Sequence, residues 1–160
     1  MRFGHTLPAI VSPGPSYIQI HASCVELGGT GVLLLGESGS GKSDLALRLI
    51  DAGSRLVADD RTDLHRRDGR LMASPPAPIA GRIEIRGLGI VPLTHVAEAP
   101  VGLAIDLVQP NRVERLPTMQ SRTWLDIKVP LLALAPFEAS AAAKVRIAVR
   151  EAARGRLFAA

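Results

Sequence analysis

At 160 residues, 47% hydrophobic and 21% charged, the chain has the size and composition of one globular domain with a full core. Its net charge of +4 is spread along the sequence without a basic block or interleaved aromatics (3% of residues), which argues against a nucleic-acid partner. A single cysteine excludes an internal disulfide and a Cys-based zinc site. No apolar run nears the roughly 18 residues of a membrane span, and no basic-then-apolar leader is evident, so a cytoplasmic protein is expected.

Residues 1–15 (MRFGHTLPAIVSPGP) mix Pro and Gly without periodicity and read as a flexible arm, leaving 16–158 as a single domain. Residues 17–21 and 23–27 have strand character and precede a Gly28-Gly29 turn; Cys24, among Ala22, Val25 and Leu27, reads as a small buried residue. Residues 32–35 form an apolar strand, followed by Gly36-Glu37-Ser38-Gly39-Ser40-Gly41-Lys42-Ser43. Leu45, Ala46, Leu49 and Ile50 then line one face of a helix to about Ala52, with Gly53 suited to its C-terminus. Residues 55–58 predict a strand ending in Asp59-Asp60, and Asp68-Gly69 predicts a hairpin joining residues 62–65 to 70–73. A proline-rich link (74–78) leads to residues 79–92, which alternate at Ile83 and Ile85 and break at Gly87 and Gly89. Residues 101–108 predict a buried strand and residues 122–129 another, carrying Trp124 and Ile127. From Ala139 to about Leu157 a helix is expected, with Val145, Ala148, Val149 and Ala152 on one face and a solvated stripe of Arg146, Arg150 and Arg154 opposite. Many short strands and two helices indicate an α/β or α+β sheet and not a regular βαβ series.

The chemistry centres on residues 36–43, which fit the phosphate-binding pattern G-x-x-x-x-G-K-[ST] between a strand and a helix. Its glycines let backbone N–H groups face one concavity, the helix adds its positive end, Lys42 adds a charge, and Ser43 offers a hydroxyl to Mg²⁺. Transfer chemistry also needs a carboxylate for the metal and a group to take a proton. Asp59-Asp60 and Asp106 are both strand-borne candidates. Adjacent carboxylates repel when both ionise, which suits one of the pair to act as a base near neutral pH. Glu84 and Arg86, two apart in a strand, project from one face and could serve a metal and a phosphate, or form a salt-bridged edge. His21 alone carries little signal.

Four strings in order, H-A-S-C-V-E-L (21–27), G-V-L-L-L-G-E-S-G-S-G-K-S (31–43), L-V-A-D-D (56–60) and E-I-R-G-L-G-I (84–90), resemble the catalytic domain of bacterial HPr kinase/phosphorylase. The resemblance spans about residues 17–130 and implies an α/β, phosphoenolpyruvate-carboxykinase-like P-loop fold with a mixed sheet and few helices. It implies ATP-dependent, Mg²⁺-assisted phosphorylation of a serine on HPr or a related phosphocarrier of the phosphotransferase system. By the same resemblance the loop residues Gly36, Glu37, Ser38, Gly39, Ser40, Gly41, Lys42 and Ser43 hold the nucleotide, and Ser43 and Glu84 bind Mg²⁺. Asp60 takes the serine proton, with His21, Arg86, Arg115 and Lys42 as further catalytic residues. It also implies a homo-oligomer, a hexamer, and a short form without the family's N-terminal domain. One segment departs: where the family carries a P-V-R-P-G-R-type stretch tied to dephosphorylation, residues 133–138 read ALAPFE, so weak or absent phosphorylase activity is expected. Two other readings compete: a small-molecule kinase or NTPase using Asp106 for its metal, and a regulator that senses ATP without transferring phosphate.

Overall fold

In the computed structural model, which describes residues 16–157, alternation along one strand divides the core in two. That strand is β3 (Thr30–Leu35), buried on both faces from Gly31 onward. Val32 and Leu34 point to a layer shared with the helices, whereas Leu33 and Leu35 point to the opposite face. Both α-helices among the described residues, α1 (Lys42–Asp51) and α2 (Ala141–Ala153), pack on the first face through Leu45, Ala46, Leu49, Val145, Ala148 and Val149. The second face is closed by the sheet itself, with Leu64, Leu71 and Ala73 from β5 (Thr62–Arg67) and β6 (Arg70–Ser74) meeting Cys24 of β2 (Ala22–Leu27). Cys24 is fully buried, and burial pushes its thiol well above the ordinary pKa, so no thiolate forms there at neutral pH.

The remaining strands are β1 (Tyr17–Ile20), β4 (Arg55–Ala58), β7 (Arg82–Ile85), β8 (Gly89–Pro92), β9 (Ala99–Leu107), β10 (Gln120–Trp124) and β11 (Ile127–Leu134). Nine of the described strands form one mixed sheet with a main path β1-β5-β6-β9-β3-β2-β4, and β7 and β8 form a separate two-stranded ribbon. The long β9 is the branch point, antiparallel to β6 at its start and parallel to β3 and β11 further on. Its pairing sets Leu35 beside Asp106, so the chain leaves β3 for the phosphate loop next to that carboxylate. No helix among the described residues is long and apolar enough to cross a membrane.

Two expectations need correction. Residues 122–129 are not one strand: they form a hairpin in which Leu125 and Asp126 take φ of 50° and 63°, bringing Trp124 opposite Ile127. Paired positive φ values are what a tight two-residue hairpin needs, and here they are imposed on a leucine without a glycine. The final helix also stops at Ala153, short of Leu157, where Gly155 adopts φ of 65°. The expected N-terminal arm, residues 1–15, lies outside the described residues.

A buried carboxylate ties the far edge of the sheet together. Glu26, 6% exposed, accepts the Gly29 backbone N–H at 2.6 Å and the Arg55 Nε–H at 2.7 Å, linking β2, its turn and β4. The Arg55 guanidinium holds the Glu26 carboxyl below its usual range, against the opposing effect of burial. Stability from a lowered carboxyl is present above the unfolded-chain value of about 4.3 and fades as pH falls through the lower folded value. Glu26→Gln is therefore expected to destabilise the fold by about 1–3 kcal/mol at pH 7, with the gap to the parent shrinking below about pH 4 in denaturant titrations.

Candidate active site

Local geometry makes residues 36–43 a cradle. Gly41 has φ of 101°, and a Cβ there would lie 2.9 Å from Phe137 Cζ and 3.2 Å from Pro136 Cβ, so the position tolerates only glycine without displacement. The loop closes with Ser40 N–H donating to the Glu37 carbonyl, and α1 begins at Lys42. Lys42 is buried, its Nζ donating to the Gly36 and Glu37 carbonyls at 2.7 and 2.9 Å. Ser40 Oγ is buried without a hydrogen-bond partner in the protein. An ammonium, a helix N-terminus and an orphaned hydroxyl gathered in one loop fit a polyphosphate.

The far side of the cradle belongs to the paired aspartates. Asp59, 9% exposed, accepts from Ser43 Oγ at 2.6 Å and from Ser23 Oγ at 3.3 Å through Oδ1, and from the Glu84 backbone N–H at 3.0 Å through Oδ2. Asp60 turns elsewhere: its Oδ1 lies 2.6 Å from His21 Nε2, and its own N–H donates to Ser23 Oγ at 3.0 Å. The turn that separates the two carboxylates is a γ-turn with positive φ, 66° at Asp60, closed by Arg61 N–H to the Asp59 carbonyl at 2.7 Å. Such a conformation is rare for a non-glycine residue and concentrates at functional sites.

Ser43, Asp59, Asp60, His21 and the backbone of Glu84 thus come together, with Lys42 at the loop. The Glu84 side chain is exposed and approaches Asp59 only through its amide. Arg86, after β7, and Arg115, before β10, are exposed and share no hydrogen bond with this cluster among the described residues. Asp106 lines a cavity of about 700 Å³ beside the loop, with Gln109, Pro110 and Phe137, and shares no hydrogen bond with Ser43 among the described residues. Sequence reasoning missed one participant, Ser23, a polar residue two positions from His21; Asp59, a candidate only as one of the Asp59-Asp60 pair, is the member that meets Ser43.

The HPr Serine kinase C-terminal domain profile matches residues 15–153. The chain belongs to that family. A Thermoanaerobacter HPr kinase/phosphorylase is 41% identical over 129 residues, 73% of this chain and 42% of the relative, and one from Clostridium botulinum is 44% identical over 78 residues, 49% and 26% respectively. The chain therefore spans less than half the length of these two curated relatives. The Hpr(Ser) kinase/phosphatase structure from Coxiella burnetii superposes with a TM-score of 0.77 at 31% identity, over 86% of this chain and 92% of that one. The expected phosphoenolpyruvate-carboxykinase-like α/β fold, a mixed sheet with few helices, holds for this member of the HPr serine kinase C-terminal domain family.

Asp59→Ala strips a buried acceptor from three donors and is expected to cost about 1–3 kcal/mol in urea unfolding. Asp60→Asn, exposed and able to keep the positive φ, should stay within about 0.5 kcal/mol of the parent.

Proposed function

We propose that this domain transfers the γ-phosphoryl group of Mg²⁺-bound ATP to a serine hydroxyl on HPr or a related phosphocarrier protein. One observation carries the reading: a phosphate loop whose Ser43 is hydrogen-bonded to one aspartate while the next aspartate, clear of that bond, is held by His21. Family membership and the printed names of the relatives support the choice of substrate.

Mg²⁺-ATP supplies the electrophilic phosphorus and a stable leaving group when bound. Residues 36–42 would hold its phosphates through backbone N–H groups and Lys42, while Ser43 and Asp59 would hold the metal together with the carboxylate of Glu84, whose backbone amide meets Asp59. Asp60 accepts the proton of the serine hydroxyl as its oxygen forms the new bond to phosphorus and the bond to the bridging oxygen breaks. His21 fixes the Asp60 carboxylate through the 2.6 Å contact, which spares it reorientation during transfer. Arg86 and Arg115 are assigned to the substrate side, where exposed guanidinium groups suit a protein-borne phosphate.

A small-molecule kinase using Asp106 for its metal is the second reading, and the Ser43–Asp59 bond weighs against it. The two separate in one assay: incubation with Mg²⁺-ATP and candidate carriers, with mass-spectrometric location of the phosphate. Phosphate on a carrier serine is expected; Asp60→Asn should reduce the rate by about 10²–10⁴-fold, and Asp106→Asn should be mild. Transfer that survives Asp60→Asn but not Asp106→Asn overturns the assignment.

The departing segment falls inside the site, since residues 135–138 wall the cavity beside the loop. It brings Glu138 and no arginine to the wall beside the phosphate loop. Phosphate-driven release of pyrophosphate from phosphorylated carrier should run at least about tenfold below the forward rate, the loss of one charge-assisted contact being enough for that. Comparable rates in the two directions would refute it.

A further inference from the structure

Phe137 is 71% exposed although it touches the phosphate loop, its ring meeting the position where a Gly41 Cβ would project. Single exposed apolar residues are common, but this one stands in the wall of the roughly 700 Å³ cavity that shares Gly36 to Ser40 with the loop. Its backbone is anchored: Arg48, paired with Asp44 one turn away on α1, donates to the carbonyl of Pro136, which is itself buried. The anchor also fixes direction. Ser43 faces Asp59 and the reacting carboxylates, whereas Asp44 and Arg48 lie on another side of α1 and draw residues 136–137 there. A nucleotide with its terminal phosphate toward Ser43 and Asp60 must carry its nucleoside away from them, around the N-terminus of α1.

From this arrangement we infer that the cavity takes the nucleoside and that Phe137 is the surface on which the base stacks. The inference deepens the proposed kinase reading and rests on its placement of the triphosphate. The cavity's chemistry suits the role: Pro110 and the Phe137 ring give flat apolar walls, the Gln109 side-chain amide carries both a donor and an acceptor for a base edge, and Asp106 offers acceptors to sugar hydroxyls. Arg112 on the same wall suits a phosphate of the nucleotide, but the aromatic face and apolar Pro110 give a bare phosphate nothing.

The test compares Mg²⁺-ATP with Mg²⁺-tripolyphosphate, which lacks a nucleoside, by titration calorimetry on the full chain. Phe137→Ala should weaken Mg²⁺-ATP on the order of tenfold and leave Mg²⁺-tripolyphosphate within about twofold, while Phe137→Trp should retain the parent affinity for ATP. Equal weakening of both ligands would make Phe137 a packing element of the loop, and no weakening of either would place the base elsewhere; each overturns the inference. A parent protein that binds ATP no more tightly than tripolyphosphate also overturns it, yet leaves the triphosphate loop standing. Binding of neither ligand removes the kinase reading together with it.

Discussion

A carboxylate removed from water needs donors, and Asp59 draws its donors from three separate stretches of chain. Ser23 comes from β2, Ser43 from the first turn of α1 and the Glu84 amide from β7. Withdrawing any one leaves an unsatisfied polar group whose desolvation costs more than the bond itself contributes. This requirement sets the spacing of the site: the helix that ends the phosphate loop, the strand that carries Ser23 and the ribbon that carries Glu84 can meet only where their donors reach the same two oxygens. The hydrophobic layers on either face of β3 hold these elements in place, but apolar packing is non-directional and would tolerate small slips. The carboxylate does not.

Neighbouring aspartates in a straight strand would point to opposite faces, one into the core and one to solvent. The γ-turn at Asp60 changes that outcome, leaving Asp59 inside and bringing Asp60 to His21 at the mouth of the same site. A positive φ of this kind costs on the order of 1–3 kcal/mol unless its surroundings impose it. Here Ser23 does so, its hydroxyl bonded both to Asp59 and to the Asp60 amide. The Ser23 hydroxyl thus determines where the Asp60 carboxylate sits.

What could be read from the chain depended on range. The phosphate loop and the Asp68-Gly69 hairpin were legible because glycine geometry is a local property, settled within a few residues. The hairpin at Leu125-Asp126 was not: neither residue favours a left-handed backbone as glycine does, so the turn follows from the pairing of β10 with β11 and of β11 with β9. The Asp59 hub was illegible for a similar reason, its partners lying 16 to 36 residues away in sequence. Arg115 is named through resemblance alone and Arg86 through its spacing from Glu84, and the fold leaves both exposed, without a hydrogen bond to the carboxylate cluster among the described residues.

The β7–β8 ribbon stands outside the main sheet, and a two-stranded ribbon is marginal by itself. Ile83 seats one strand in the helix-side core, while Leu88 and Ile90 beyond it are 75% and 71% exposed. The ribbon is therefore graded along its length. Its tip opens with little free energy, yet the Glu84 amide, locked onto a buried carboxylate, is freed only when the Asp59 cluster itself parts. One backbone hydrogen bond thus ties the looseness of a surface loop to the buried carboxylate beneath it, so the ribbon's base stays seated while its tip moves.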